Sequence, residues 1–172
     1  KTFDGGTTWY NLGQELQSVE FPTKDTGYAV GEVMRKTTDG GLTWSQTHPF
    51  NYPYNNTKMF DAFFLNKDTG WVSGNYGAAY KTTDGGTNWQ EQYFDQSVYI
   101  NSIYALNEQI CWSTGINYNL LYPIIIKTTD GGITWQEYGI TNAPDLNDIF
   151  FFDSSNGIAV GSDGSLSGNG GY

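Results

Sequence analysis

Asp61 and Asp148 are the side chains whose type and spacing come nearest to a reaction. They fill one position of a repeated pattern, the position that opens an innermost strand and reads Ser18, Asp61, Ser102 and Asp148 along the chain. If the repeats ring a common axis, the two carboxylates face one another across it. Glycoside hydrolysis uses two such groups, about 5 Å apart for retention and about 6.5–9.5 Å apart for inversion. With Asn101 and Asn147 beside them, the same oxygens would suit a hard cation such as calcium. No compact acidic loop accompanies them and Asp163-Gly164 is too little to make one, so neither a metal nor a cofactor is expected. The simpler expectation is that both aspartates cap strands or bind water.

Nucleophilic chemistry has less to work with. Cys111 is the sole cysteine, which rules out an internal disulfide, and Ile110-Cys111-Trp112 reads as a buried strand segment in which the thiol acts as a small hydrophobe. His48, the sole histidine, lies in a separate proline-bearing loop, so no Cys/His pair is expected.

Binding is better provided for. The segments 45–58 and 116–123 vary most between repeats and are rich in Tyr, Asn and Pro. Tyr52, Tyr54, Tyr118 and Tyr122 combine flat apolar area with a polar tip, which suits stacking on a sugar or anchoring a protein interface. Covering strand edges and filling gaps between repeats is an equally good use for them. Asn55-Asn56-Thr57 matches the N-glycosylation pattern, which matters only in a eukaryotic secretory route.

The elements that position these residues follow from an eight-residue motif present four times, Thr2–Trp9, Thr37–Trp44, Thr82–Trp89 and Thr128–Trp135. Its aspartates Asp4, Asp39, Asp84 and Asp130 are 35, 45 and 46 residues apart, the period of a four-stranded propeller blade. Two glycines after each aspartate allow the positive φ of a tight hairpin, and the carboxylate accepts hydrogen bonds from turn amides. The tryptophans Trp9, Trp44, Trp89 and Trp135 cover those turns. Asn88 replaces the second threonine in the third copy, which predicts a slightly weaker contact there. A second pattern alternates with the first: Thr26–Gly31, Thr69–Gly74, Ile110–Gly115 and Asn156–Gly161.

Each unit therefore reads as four short strands. In the second, an inner strand spans Asp61 to Leu65, one ends at Gly74, one runs into Lys81-Thr82, and one starts at Trp89. Such a unit cannot bury both faces alone, so neighbours must stack around an axis. The predicted class is all-β, a β-propeller of four-stranded antiparallel blades forming one module over residues 1–172.

The motifs resemble Asp-boxes, also called BNR repeats, with the pattern Ser/Thr-x-Asp-x-Gly-x-Thr-Trp. Together with the Gly-aromatic-Ala-Val-Gly strand, they are most similar to the photosystem II assembly and stability factor group of propellers and to related secreted bacterial propellers. The resemblance covers essentially the whole chain. It implies that the eight Asp and Trp residues of the motifs are structural, since Asp-boxes in sialidases, xyloglucanases and sortilin-type receptors typically sit on the propeller's periphery. Sialidases bind the substrate carboxylate with three arginines, and this chain has only Arg35. The assembly factors engage partners through a basic patch.

The ends match in register: passing from Tyr172 to Lys1, the step from Asp130 round to Asp4 is again 46 residues. A closed four-blade ring, a segment of a ring of six to eight blades, which would need about 260–350 residues at this period, and self-assembly through complementary ends all satisfy that match. A start at Lys1 without methionine fits a processed secreted chain, an excised fragment or part of something longer. The formal charge of −10 repels phosphate backbones, so nucleic acid is not an expected partner. No stretch approaches the roughly 18 apolar residues of a membrane span. The expected function is a non-enzymatic scaffold or binding module, extracellular or periplasmic, recognising protein or glycan through its variable loops. The alternatives are a carbohydrate-active segment or a subunit of a repetitive extracellular assembly.

Overall fold

The computed structural model describes residues 1–11, 15–47, 57–93, 95–141 and 143–162. All described regular structure is β. Three four-stranded antiparallel sheets follow one another: β1 (Leu16–Glu20) to β4 (Ser45–Thr47), β5 (Met59–Phe64) to β8 (Gln90–Tyr93), and β9 (Val98–Ala105) to β12 (Gln136–Gly139). Within each, sequence order is spatial order, from an inner strand outward. A fourth sheet holds two strands, β13 (Asp145–Phe151) and β14 (Gly157–Ser162). The described residues thus form a propeller arc of three four-stranded blades followed by an inner pair of strands. The second inner strand begins at Met59, two residues before the sequence reading places it.

Residues 1–10 supply the missing kind of half. Lys1 and Tyr10 exchange two backbone hydrogen bonds of 2.7 Å, the pairing that Lys36 and Ser45 make between β3 (Met34–Thr37) and β4. The segment is thus an outer-strand hairpin carrying an Asp-box.

Every inner strand bulges at the same place, with register breaks between Leu16/Ser18, Met59/Asp61 and Leu146/Asp148, and one opposite Thr114/Gly115. The second-strand glycine opposite each bulge exists for it: a Cβ on Gly74 would lie 2.1 Å from Lys58 O, and one on Gly161 would lie 2.0 Å from Asp145 O. The glycine at the end of Gly70–Gly74 therefore marks a close backbone approach.

Blades adhere through apolar faces. Tyr28, Val30 and Met34 of the first blade pack on Met59, Ala62, Phe64 and Val72 of the second, with Tyr28 stacked on Phe64 at 3.8 Å. Trp71 packs with Ile103 and Ala105 at the next junction, and Trp112 stacks on Phe151 at 3.7 Å at the last. Cys111 is buried in this core, and burial pushes its thiol far above the ordinary range, where it stays protonated. Each end of the described arc shows an apolar face: Val19 and Phe21 at one are 60% and 41% exposed, and Ile158 and Val160 at the other are 56% and 55% exposed.

Candidate functional site

The bulges place Ser18, Asp61, Ser102 and Asp148 in one belt across the inner strands. Ser18 Oγ donates to Asp61 Oδ1 at 2.9 Å, and Ser102 Oγ lies 3.0 Å from Asp61 Oδ2 and 2.9 Å from Asp148 Oδ1. Backbone amides of Ala62 and Ile103 also donate to Asp61, and that of Ile149 donates to Asp148. The structure does bring the two aspartates together, but with a serine hydroxyl between them and with strand amides on their oxygens. The belt ties one blade to the next. Asn101 is occupied too, its amide donating to Leu146 O at 2.8 Å. Among the described residues no three carboxylate, imidazole or thiol side chains converge.

One step along the same strands runs an aromatic row, Phe63–Tyr104 at 4.8 Å and Tyr104–Phe150 at 5.0 Å. Glu20 holds the equivalent position on β1 (Leu16–Glu20), where burial, followed by repulsion from Asp61, raises its carboxyl pKa.

The four Asp-box carboxylates are turn braces. Asp39 Oδ1 accepts from Thr37 Oγ and the amide of Thr43, Asp39 Oδ2 accepts from Thr43 Oγ, and Thr37 Oγ in turn accepts from the amide of Gly41. Gly40 and Gly41 sit at φ +68° and +77°, which a side chain would strain. Hydrogen bonds from Thr8 lower Asp4, and those from Thr134 lower Asp130, each from 3.8 to about 2. Asn88 keeps the brace, its amide reaching Asp84 Oδ2 at 2.7 Å, and Asp84 is still lowered. Trp9, Trp89 and Trp135 donate their indole N–H to Gly6, Gly86 and Gly132 carbonyls.

A device the sequence reading missed joins these turns. Lys1 Nζ donates to Gly40 O at 2.7 Å, Lys36 Nζ to Gly85 O at 2.6 Å, and Lys81 Nζ to Gly131 O at 3.1 Å. Each blade hands a cation to the first glycine of the next Asp-box. The signal was present: Lys1, Lys36, Lys81 and Lys127 precede all four motifs.

The hairpin that carries the variable segment 116–123 reaches the opposite face. Strand alternation sends the Asp-box turns to one end of each blade and the β6–β7 (Gly70–Gly74, Ala79–Thr82) and β10–β11 (Cys111–Asn117, Tyr122–Thr128) hairpins to the other. There Tyr99 contacts Tyr118 at 4.4 Å, Tyr76 at 5.9 Å and Phe60 at 6.1 Å. Tyr118, Leu120 and Leu121 are 49%, 59% and 78% exposed, and Leu121 is held at φ 55°. Tyr122 instead packs on the cluster of Ala79, Val98 and Ile124 between blades. Tyr52 and Tyr54, like His48 and Asp163, lie outside the described residues.

Comparison with known proteins follows the same lines. Residues 7–99, more than half of the chain, match the sequence model of the photosynthesis system II assembly factor YCF48, and residues 126–137 match that of the BNR/Asp-box repeat. The photosystem II assembly lipoprotein Ycf48 of Synechococcus sp. (strain CC9902) is 29% identical over 93 residues, 51% of this chain and 28% of that protein. A solved YCF48 bound to D1 peptide superposes with a TM-score of 0.67 at 24% identity, covering 88% of this chain and 48% of that one. YCF48 from Cyanidioschyzon merolae gives 0.64 at 22% identity, covering 88% and 52%. The chain thus spans about half the length of the solved relatives, and its match covers less of the curated one.

Proposed function

The chain belongs to the photosynthesis system II assembly factor YCF48 family, and from that premise we propose that it is a non-enzymatic, extracytoplasmic module that binds an apolar segment of a partner protein. The observation that carries this reading is the Tyr118-Leu120-Leu121 tip, exposed on the face away from the Asp-box turns and backed by Tyr99 and Tyr76. An aromatic ring fixed against other rings loses little entropy on binding, and adjoining exposed leucines offer apolar area that water solvates poorly. The solved relative that holds a D1 peptide supports a protein segment over a glycan as ligand. A relative described as a lipoprotein supports the extracytoplasmic placement. Within this reading Tyr118 is the contact residue, Tyr122 supports the hairpin that carries it, and Asp61 and Asp148 hold blades together.

Fluorescence anisotropy with a labelled D1 peptide tests the proposal. Tyr118→Ala and Leu121→Ser are each expected to weaken binding about tenfold, the loss of an interface anchor. Binding unchanged in both variants, or binding found only on a glycan panel, would overturn it.

A further inference from the structure

Building on the segment-binding reading above, we propose that the partner segment is basic as well as apolar, and that one of its arginines seats against Tyr118 and Tyr99 with Asp145 as counter-ion. One short stretch of chain fixes the rings. Gly77 donates its amide to Val98 O at 2.6 Å and Tyr118 donates its own to Ser97 O at 2.8 Å, so the tips of the β6–β7 and β10–β11 hairpins are both tied to the residues that lead into Tyr99. Tyr76 and Tyr118 then meet Tyr99 edge-on, at 75° and 63° to its ring, and Phe60 meets it at 54°. Asn117 closes the tip: its Oδ1 accepts from the amides of Asn119 and Leu120, and its carbonyl from that of Leu121. Among the described residues only Tyr76 and Leu121 hold a positive φ without being glycine, at 57° and 55°, and they stand on these two tips. Bulky side chains in the left-handed region are held there at a cost, and such positions gather at binding sites. The rings form a corner set before any ligand arrives.

Charge decides what the corner takes, because the lysines are sorted between the two ends of the blades. Lys1, Lys36, Lys81 and Lys127 precede the Asp-boxes, and Lys24 and Lys67 lie in the turns whose carbonyls receive Gly40 and Gly85, so these six stand at the Asp-box end. Arg35 is within β3. At the aromatic end the described residues offer only Lys58 as a base, and it is engaged, its Nζ 2.5 Å from Glu32 Oε1. The acids there are Glu15, Glu32, Asp95 and Asp145. Residues 12–14, 48–56, 94 and 142 contain no Lys, Arg, Asp or Glu and do not alter that balance.

Asp95 is occupied in its own turn, where Oδ1 accepts from the amide and the hydroxyl of Ser97. Asp145 is exposed at the start of β13, and after burial and Tyr99 it helps to push the Tyr118 phenol above its ordinary pKa, which places the carboxylate beside the ring. A ring face next to a carboxylate attracts a cation twice, through the ring quadrupole and through the charge. Arginine suits both, since its planar guanidinium lies on a ring while its N–H fork reaches the carboxylate. Leu120 and Leu121 take the apolar remainder of the segment, and an acidic segment is repelled from the same face.

Fluorescence anisotropy with three labelled peptides tests this. They share one leucine-rich sequence and differ only at the centre, which is arginine, citrulline or glutamate. Citrulline keeps the shape of arginine without its charge. The arginine peptide is expected to bind about tenfold more tightly than the citrulline peptide, and the glutamate peptide more weakly than either. Asp145→Asn alters an exposed position, so the variant should keep the native circular dichroism, and it should bind the arginine and citrulline peptides alike. Arginine and citrulline peptides bound equally by the wild type, or an arginine preference that survives Asp145→Asn, would overturn the basic ligand while the apolar contact stands. A wild type that binds none of the three at millimolar peptide would overturn both.

Discussion

Replacing Ser102 by alanine isolates the contact on which the inner belt depends. Ser102 is 4% exposed, and its hydroxyl faces Asp61 Oδ2 at 3.0 Å and Asp148 Oδ1 at 2.9 Å. A serine hydroxyl has one proton to give, so the two contacts share a single charge-assisted hydrogen bond, worth about 1.5–3 kcal/mol. Asp148 is exposed, and water replaces part of what it loses. Asp61 is half-buried but keeps Ser18 and two amides. The expected cost is therefore near the lower end, about 1.5–2 kcal/mol. At roughly 2–4 °C per kcal/mol for a chain of this size, the midpoint of thermal unfolding should fall by about 3–8 °C. Ser18→Ala is the internal control. It also serves Asp61, but from a half-buried position on the first inner strand, and should cost about 0.5–1.5 kcal/mol. Urea unfolding followed by tryptophan fluorescence measures both, provided the m-values agree. A Ser102→Ala variant within about 0.5 kcal/mol of wild type, or no costlier than Ser18→Ala, would refute the belt as a clamp between blades.

Three further outcomes follow from the same geometry. Gly74→Ala puts a methyl group 2.1 Å from Lys58 O, a backbone atom, and should destabilise by about 1–3 kcal/mol in the same urea assay. Lys81→Met removes the cation over the Trp71 ring and the donor to Glu108 O and Gly131 O, at an expected cost of about 1.5–3 kcal/mol. Asp4 and Asp130 have folded-state pKa values lowered from 3.8 to about 2, so their stabilisation is present above about pH 4 and is lost as pH falls through 2. Thr134→Val removes the largest cause of the Asp130 shift and should flatten the fall in urea midpoint between those pH values.

What the sequence made legible was local. An Asp-box is closed by its own eight residues, so Thr37, Asp39, Gly41 and Thr43 can be read as a turn without knowledge of what surrounds them. The blade order followed from the period, and Ser18, Asp61, Ser102 and Asp148 aligned because the repeats align. What those four side chains do to one another was not legible, since Ser102 meets Asp61 and Asp148 only after three inner strands have been brought side by side. The same holds for Lys36, whose acceptor Gly85 lies a whole repeat away. Gly74 was visible as a strand end, while its reason, the approach of Lys58 O, belongs to a bulge that no short window of residues displays. Tyr118 and Tyr122 looked alike as loop tyrosines and differ because one tops a hairpin and the other faces a neighbouring blade.

The lysine relay gives the arc a direction. Because Lys36 reaches forward to Gly85 and Lys81 forward to Gly131, each blade is a donor on one side and an acceptor on the other, and any two consecutive blades meet through the same kind of joint. A stack held by identical nearest-neighbour joints is indifferent to its length. Duplication or loss of one whole repeat in the gene would therefore leave every remaining joint chemically intact, whereas a cut within a repeat would break one. Propellers of different blade number can arise from such a unit by unequal crossing-over alone, with no new interface to be evolved.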